Sequence, residues 1–140
     1  MPVRVYTGGT FDLFHGGHAR FLERCAQLGP VTVGLNTDEF LADYKGAPVM
    51  DYHERLEVLI ACRYVDAVIE NTGGADSKPA LLKSRSNLVV IGSDWARKDY
   101  YAQMGFTQDW LDLQGIGLCY IPYTKGISST DIKARLCASQ

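Results

Sequence analysis

Two histidines, His15 and His18, stand three residues apart just after a glycine-rich segment at residues 7–10. An apolar run at residues 3–6 precedes this segment, and an amphipathic run around Phe21 follows it. A strand, a glycine-rich turn and a helix in this order present backbone N–H groups and a positive helix end to a phosphate. Imidazoles beside such a cradle stabilise charge that develops on a phosphoryl group. The pattern predicts a phosphate site, against the alternative of two surface or structural histidines.

Other chemistries fit these residues less well. A zinc site needs a third ligand at useful spacing, and His53 lies far along the chain. The four cysteines contain no Cys-x-x-Cys pair, which argues against zinc and against a dithiol redox centre. The turn reads Gly-Gly-Thr-Phe-Asp and not the Gly-x-Gly-x-x-Gly of a dinucleotide site.

A second candidate lies near the carboxyl terminus, where residues 126–130 read Gly-Ile-Ser-Ser-Thr. A run of hydroxyl residues before a helical pattern is typical of an N-cap. The same hydroxyls and their free N–H groups, with Lys125 beside them, also suit the triphosphate tail of a nucleotide. Both interpretations remain open from the residues alone.

Asp94 follows the apolar segment at residues 88–92, which places it at the carboxyl end of a predicted strand, where open α/β sheets bind ligands. A carboxylate there can hold Mg²⁺ together with phosphate oxygens, and Asp12 is a rival for that role. The alternatives are a solvated loop residue for Asp94 and a hydrogen bond within the turn for Asp12. Single basic residues are more often solvated than ligand-binding. The basic candidates are Lys45, Arg55, Arg63 and Lys78.

Short apolar segments alternate with helical patterns along the chain. Strands are predicted at residues 3–6, 31–35, 64–69, 88–92 and 117–121. Helices are predicted from the histidine pair to Gly29, from a capping box at Asp51 and Glu54, from Lys78, at 107–113 and from 126 onward. Residues 40–50 show no sustained period and are predicted to form a loop with at most one helical turn.

This alternation predicts an α/β fold: a Rossmann-like single domain over residues 1–140, with a five-stranded parallel sheet and helices on both faces. Right-handed crossovers would then bring the carboxyl ends of the first, fourth and fifth strands around one crevice. The histidine pair, Asp94 and residues 126–130 all follow these strand ends.

The composition restricts the partners. A hydrophobic fraction of 46% and a net charge of −2 are those of an ordinary globular protein, so no bulk attraction to nucleic acid or to an anionic membrane is expected. No run approaches membrane-spanning length, and nothing at the start resembles a signal peptide. We therefore expect no nucleic acid partner, no membrane insertion and a reduced, cytoplasmic setting.

The segment from Gly9 to His18 reads Gly-Thr-Phe-Asp-Leu-Phe-His-x-Gly-His, and it resembles the signature of the cytidylyltransferases, within the nucleotidylyltransferase superfamily. Residues 63–66, Asp94-Trp95 and residues 126–130 resemble later motifs of that family in the same order. The likeness is greatest to the bacterial enzymes that act on glycerol 3-phosphate. The His-x-Gly-His motif alone is shared with adenylyltransferases and class I aminoacyl-tRNA synthetases, whereas the four motifs together are specific.

The resemblance implies transfer of CMP from CTP to a small phosphorylated alcohol, with glycerol 3-phosphate favoured, Mg²⁺ as cofactor and pyrophosphate as the second product. It also implies a homodimer, since residues 63–66 lie near the subunit interface in family members. Two alternatives remain, because phosphate-binding motifs do not read the base and because a binding site does not guarantee turnover. They are an adenylyltransferase that uses ATP and a catalytically weak nucleotide-binding regulatory module.

The resemblance also assigns roles to individual residues. The expected catalytic residues are His15, His18 and Lys45. The expected nucleotide-binding residues are Gly9, Thr10, Phe11, Asp94, Tyr123, Thr124, Gly126, Ile127, Ser128, Ser129 and Thr130. The expected substrate-binding residues are Asp12, Lys45, Arg55 and Lys78, and the expected metal ligand is Asp94.

The chain departs from the family pattern in three places. Tyr123 stands where the family usually has an arginine, so a charged bidentate phosphate donor is missing and Lys125 offers only a point charge. Lys45 is a single lysine where the family tends to have more, and residues 98–115 form a longer, Tyr- and Trp-containing segment. These departures affect the expected acceptor more than the expected chemistry.

Overall fold

The computed structural model describes residues 2–44, 46–92, 104–122 and 127–138. The strands are β1 (Val5–Gly9), β2 (Val31–Leu35), β3 (Ala67–Glu70), β4 (Leu88–Gly92) and β5 (Gly117–Ile121). The helices are α1 (Gly16–Leu28), α2 (Asp38–Tyr44), α3 (Tyr52–Ala61), α4 (Lys78–Ser84), α5 (Gln108–Gln114) and α6 (Ser129–Ala138). None of the helices in these ranges combines the length and the apolar character that a membrane crossing requires.

The strands form one parallel sheet in the order β3-β2-β1-β4-β5, which confirms the predicted five-stranded architecture. β1 is central and pairs with β2 over its whole length, from Val5 opposite Val31 to Gly9 opposite Leu35. The order reverses direction between β1 and β4, so a crevice opens beyond their carboxyl ends. The turn after β1 therefore enters the place where this kind of sheet binds its ligands.

Alternate residues of the central strands pack on opposite faces of the sheet. Val5 and Val90 join a cluster with α1 and α3 through Leu22 and Leu59. On the other face, α4 and α5 cover the sheet, and the cluster there contains Tyr6, Leu81, Val89, Ile91 and Leu111. The prediction of helices on both faces is confirmed, and the sheet is buried from both sides, as expected for parallel strands.

The first strand differs from its predicted position, because it begins at Val5 and continues through residues 7–9, which were predicted to be a turn. Residues 7–9 continue the strand because they pair with residues 33–35 of β2. Within this pair of strands, the Tyr6 ring lies across Gly34. A Cβ at Gly34 would collide with the Tyr6 hydroxyl and lie 2.6 Å from Tyr6 Cζ. Glycine is thus needed inside this sheet for ring packing, and the turn itself starts at Thr10.

The region after β2 is more helical than predicted, because α2 spans Asp38–Tyr44, where a loop with at most one helical turn was expected from residue 40 onward. The Phe40 N–H donates to the Thr37 hydroxyl at 3.2 Å, which caps the start of this short helix. This short helix has no apolar period, so hydrophobic spacing did not predict it. By contrast, the capping box of α3 is confirmed, since Glu54 N–H donates to Asp51 Oδ1 at 2.9 Å and Asp51 N–H donates to Glu54 Oε2.

We predict that Gly34→Ala lowers the free energy of unfolding by about 1–3 kcal/mol, because the new methyl group overpacks the Tyr6 ring. Tyr6→Phe should be neutral or stabilising, since the buried Tyr6 hydroxyl has no hydrogen-bond partner within the described ranges. Urea unfolding measures both effects. Tyr6→Phe should also recover part of the loss caused by Gly34→Ala, and a strictly additive double variant would contradict this packing.

Candidate active site

The turn between β1 and α1 has a strained backbone. Phe11 and Leu13, on either side of Asp12, have φ angles of 52° and 50°, a left-handed conformation that large side chains rarely adopt. The Asp12 carboxylate holds the turn, since it accepts the N–H groups of Val49 at 2.8 Å and Met50 at 2.9 Å. These contacts fix the direction in which the chain enters α1.

His15 and His18 exchange hydrogen bonds with the backbone of the first turn of α1. His15 is the N-cap residue, and its Nδ1 accepts the Gly17 N–H at 3.0 Å. The His18 Nδ1 accepts the His15 N–H at 3.2 Å. The two imidazole rings stack with their centroids 3.9 Å apart. The pair forms a capping box in which histidines take the places usually held by hydroxyl and carboxylate side chains.

This arrangement fixes the tautomer of both rings. A backbone N–H can only donate, so each Nδ1 that accepts one must carry a lone pair. The proton of each neutral imidazole then sits on Nε2, which is left as a donor. The first turn of α1 holds no acidic residue, so the positive end of its dipole is not neutralised. Two imidazole donors beside a positive helix end suit the oxygens of a phosphate.

Both histidines are held in the neutral form. Burial lowers the pKa of His18 to about 4, and the nearby His15 lowers it too, while the Asp12 charge acts in the opposite direction. Burial also lowers the pKa of His15. The site therefore offers neutral N–H donors at physiological pH, and it does not depend on imidazolium ions to attract phosphate.

The second predicted motif meets the first at this turn. Ile127 packs over the start of α1, where its Cγ2 atom would lie 3.7 Å from a Cβ at Gly17. The Ser129 hydroxyl donates to the Asp12 backbone carbonyl at 2.7 Å. The Ser128 hydroxyl accepts the Asp131 N–H at 2.9 Å, as an N-cap does. The structure thus brings residues 127–130 and the histidine turn together, with one hydroxyl used as the link between them.

Gly17 must lack a side chain for the cap to form. A Cβ there would lie 2.8 Å from His15 Cε1. Gly9 is restricted in the same way, because its Cβ would lie 2.8 Å from Phe11 Cε2. The Phe11 ring in turn lies 5.3 Å from the His18 ring, centroid to centroid. The glycines of this motif therefore leave the space that the aromatic rings lining the site occupy.

Arg55 is not placed to contact a substrate, which corrects the prediction. Its side chain is fully buried, and it forms an ion pair with Asp38 at 2.7 Å. Its remaining N–H groups donate to the backbone carbonyls of Met50 at 3.0 Å, Thr10 at 2.9 Å and Asn36 at 3.0 Å. Arg55 is a positioning residue that fastens the histidine turn to the segments after β2 and before α3.

Asp38 is the carboxylate partner in the ion pair with Arg55. Partial burial acts to raise the pKa of its carboxyl, but the Tyr52 N–H and the Arg55 guanidinium outweigh that effect and hold the pKa below its usual value.

The Asp12 carboxylate is likewise engaged by two backbone amides, with Lys133 Nζ 4.0 Å away. Its contacts favour a positioning role over the predicted contact with substrate.

Lys78 lies at the start of α4, where its ammonium group pairs with Asp76 at 3.0 Å and donates to the Gly105 carbonyl. Its predicted contact with substrate stays a prediction. The other predicted site residues lie outside the described residues: Lys45, Asp94, Tyr123, Thr124 and Gly126. Thr130 is exposed on the first turn of α6.

Sequence reasoning missed two amides near the turn. The Asn36 Nδ2 group donates to Thr10 Oγ1 at 3.2 Å, and Asn71 Nδ2 donates to Asn36 Oδ1 at 3.0 Å. Both residues directly follow strands, β2 and β3, at the same edge as the histidine turn. Their position directly after strands could have identified them as site residues from the sequence, because polar residues after parallel strands face the ligand crevice.

We predict that the protein loses stability as the pH falls from about 6.5 towards 4. In that window the unfolded chain protonates His18, whereas folded His18 has a pKa of about 4 and stays neutral. His18→Asn keeps an acceptor near the Nδ1 position but cannot take up this proton. Melting temperatures measured from pH 7 to pH 4 should therefore fall less steeply for His18→Asn, and equal slopes would contradict the buried neutral histidine.

Comparison with known proteins shows which family this chain resembles. The family model described as cytidylyltransferase-like matches residues 6–135. Glycerol-3-phosphate cytidylyltransferase of Bacillus subtilis is 35% identical over 134 residues, which cover 95% of this chain and 96% of that protein. Choline-phosphate cytidylyltransferase A of Mus musculus is 37% identical over 141 residues, which cover 96% of this chain and 36% of that protein.

A solved structure shares the fold. The lipopolysaccharide core biosynthesis protein of Thermoplasma volcanium superposes with a TM-score of 0.71 at 22% identity, covering 89% of this chain and 98% of that one. At this identity the likeness concerns the fold alone. The family-model match and the sequence match over nearly the whole chain show that the chain belongs to the cytidylyltransferase-like family.

Proposed function

We propose that the protein transfers CMP from CTP to a small phosphate monoester, with glycerol 3-phosphate as the favoured acceptor, and releases pyrophosphate. The observation that carries this proposal is the reciprocal capping by His15 and His18. It leaves two neutral Nε2–H donors at the positive end of α1. Family membership supports the reaction class, a CTP-dependent nucleotidyl transfer that yields a CDP-alcohol.

The reaction needs no covalent enzyme intermediate. A phosphate oxygen of the acceptor attacks the α-phosphorus of CTP, and a new P–O bond forms. The bond from that phosphorus to the oxygen bridging the α- and β-phosphates breaks, and pyrophosphate leaves with the electron pair. Negative charge grows on the phosphoryl oxygens during the transfer, so donors aimed at them lower the barrier. His15 and His18 are the donors we assign to this task.

The choice of acceptor rests on the extent of the sequence match. The glycerol-3-phosphate enzymes of Bacillus subtilis and Staphylococcus aureus are matched over 96% and 94% of their lengths. The choline-phosphate enzyme of Mus musculus is matched over only 36% of its length. A match over nearly the whole length of the glycerol-3-phosphate enzymes favours glycerol 3-phosphate as the acceptor. Choline phosphate and ethanolamine phosphate are the competing acceptors.

We further propose that Mg²⁺ enters with the nucleotide, that the protein acts as a homodimer and that it works in the cytoplasm. Mg²⁺ binds few carboxylates and several phosphate oxygens, which matches a single predicted ligand such as Asp94. Arg63 is exposed beside Tyr64, as a residue near a subunit interface would be. The four cysteines are free, which suits a reducing compartment.

Pyrophosphate release with Mg²⁺ tests the proposal, with CTP and ATP each crossed against glycerol 3-phosphate, choline phosphate and ethanolamine phosphate. We expect turnover with CTP and glycerol 3-phosphate. His18→Asn should lower kcat by about 10²–10³-fold, because it keeps the cap acceptor and removes the Nε2–H donor. His53→Asn is the matched control, since His53 is exposed on α3, and it should leave kcat unchanged.

Each other outcome has a defined meaning. Turnover with CTP and a different monoester would replace the acceptor and keep the chemistry. Turnover with ATP alone would overturn the choice of base. Nucleotide binding without release of pyrophosphate from any pair would favour the regulatory module over the enzyme.

A further inference from the structure

We propose that Asn71 and Asn36 form a side-chain relay that fixes the Thr10 hydroxyl as a hydrogen-bond donor to an oxygen of the bound nucleotide. The inference rests on the proposed function for the presence of a nucleotide, and it adds two positioning residues to the site. Three neighbouring strands supply the relay, since Thr10, Asn36 and Asn71 follow β1, β2 and β3.

The relay begins at a backbone carbonyl, whose role as a hydrogen-bond acceptor is fixed. The Gly74 carbonyl can only accept, so the side-chain atom of Asn71 that lies 2.9 Å from it must be the amide nitrogen. The same nitrogen lies 3.0 Å from the Asn36 side chain, and the Asn36 atom that accepts from it must be Oδ1. The orientation of both amides follows from this one carbonyl.

The relay ends at Thr10. With Asn36 Oδ1 turned towards Asn71, the Asn36 Nδ2 group faces the Thr10 hydroxyl and donates to Oγ1 at 3.2 Å. A hydroxyl has one hydrogen to donate, and here the oxygen already accepts from an amide. Within the described part of the chain, the Thr10 hydroxyl donates to no protein acceptor. Thr10 is half-buried in the turn that leads to His15, so its hydrogen is available to a ligand in the crevice.

The backbone under the relay is held as firmly as its side chains. The Arg55 guanidinium donates to the carbonyls of Thr10 at 2.9 Å and Asn36 at 3.0 Å. Gly74 has a φ of 60°, the left-handed conformation that turns its carbonyl back onto Asn71. Asn71 also anchors its own backbone, since its N–H donates to the Leu35 carbonyl at 3.0 Å. Rotation of the Asn36 amide would break contacts at both of its ends, and rotation of the Asn71 amide would break both contacts of its Nδ2 group.

Burial of the relay costs free energy of folding, which indicates that the relay has a function. Asn71 is only 4% exposed, and its Oδ1 atom has no hydrogen-bond partner in the described ranges. A buried polar atom without a partner destabilises a protein, so such positions require an explanation. The task we assign is directional: a donor fixed in this way binds an acceptor oxygen, such as a phosphate or carbonyl oxygen, and does not bind an N–H group.

A double-mutant cycle on nucleotide affinity tests the relay. Thr10→Val removes the donor, Asn71→Ala removes the start of the relay, and the double variant removes both. CTP affinity, measured by calorimetry, should fall by about tenfold in each single variant. The double variant should fall no further than Thr10→Val, because the relay acts only through that hydroxyl. Additive losses, or an unchanged affinity in Asn71→Ala, would overturn the proposal.

Two further variants control the experiment. Asn87→Ala removes an asparagine that bridges Arg4 N–H and the Pro2 carbonyl away from the site, and it should leave CTP affinity unchanged. Asn36→Ala breaks the relay at a less buried position, so it provides the same cycle should Asn71→Ala fail to fold. Inorganic tripolyphosphate is a second probe, because a loss with both probes identifies a phosphate oxygen and a loss with CTP alone identifies an oxygen of the nucleoside.

The proposed function and the relay fail in different ways. If the wild-type protein binds CTP but transfers nothing, the cycle still measures the coupling of Asn71 to Thr10, and only the enzymatic proposal falls. If transfer occurs and the coupling is absent, only the relay falls. If the wild type binds neither CTP nor tripolyphosphate, both fall.

Discussion

The site depends on the hydrogen bonds that two histidines exchange with the first turn of α1. His18 Nδ1 takes the N–H of His15, and His15 Nδ1 takes the N–H of Gly17. The exchange satisfies donors that a helix start would otherwise leave to solvent. It also determines which nitrogen of each ring carries the proton, so the structural contact at Nδ1 fixes the donor at Nε2. A change in the turn that breaks the cap therefore releases the constraint that fixes these donors.

A buried network keeps this turn in place. The Arg55 guanidinium costs free energy to bury, and it is stable only because one carboxylate and three carbonyls surround it. The Asp12 carboxylate holds the same turn through the amides of Val49 and Met50, and its backbone carbonyl accepts the Ser129 hydroxyl. The strained φ angles at Phe11 and Leu13 persist under these constraints. Charged groups close to the site therefore act on the backbone, which leaves the imidazoles to act on the ligand.

The sheet, the histidine turn and the helices other than α2 could be predicted from the sequence, because apolar period, capping residues and glycine spacing are local signals. The role of Arg55 could not, since helical spacing shows which residues share a face but not that a guanidinium will be enclosed by the nearby Met50 carbonyl and by the distant carbonyls of Thr10 and Asn36. Gly34 could not be recognised as the partner of the Tyr6 ring, because that contact depends on strand register. The amides of Asn36 and Asn71 were visible only as polar residues after strands, until the sheet order made them neighbours.

Nitrogen-15 NMR of the imidazole rings tests most directly the claim that the fold presents two neutral Nε2–H donors. In the free protein at pH 7, His15 and His18 should both show an unprotonated Nδ1 and a protonated Nε2, while the exposed His53 serves as the reference for a ring outside the site. Addition of CTP should shift the Nε2–H signals of the pair and leave that tautomer unchanged. A protonated Nδ1 on either ring would contradict the capping exchange, and with it the assignment of the pair as phosphate donors.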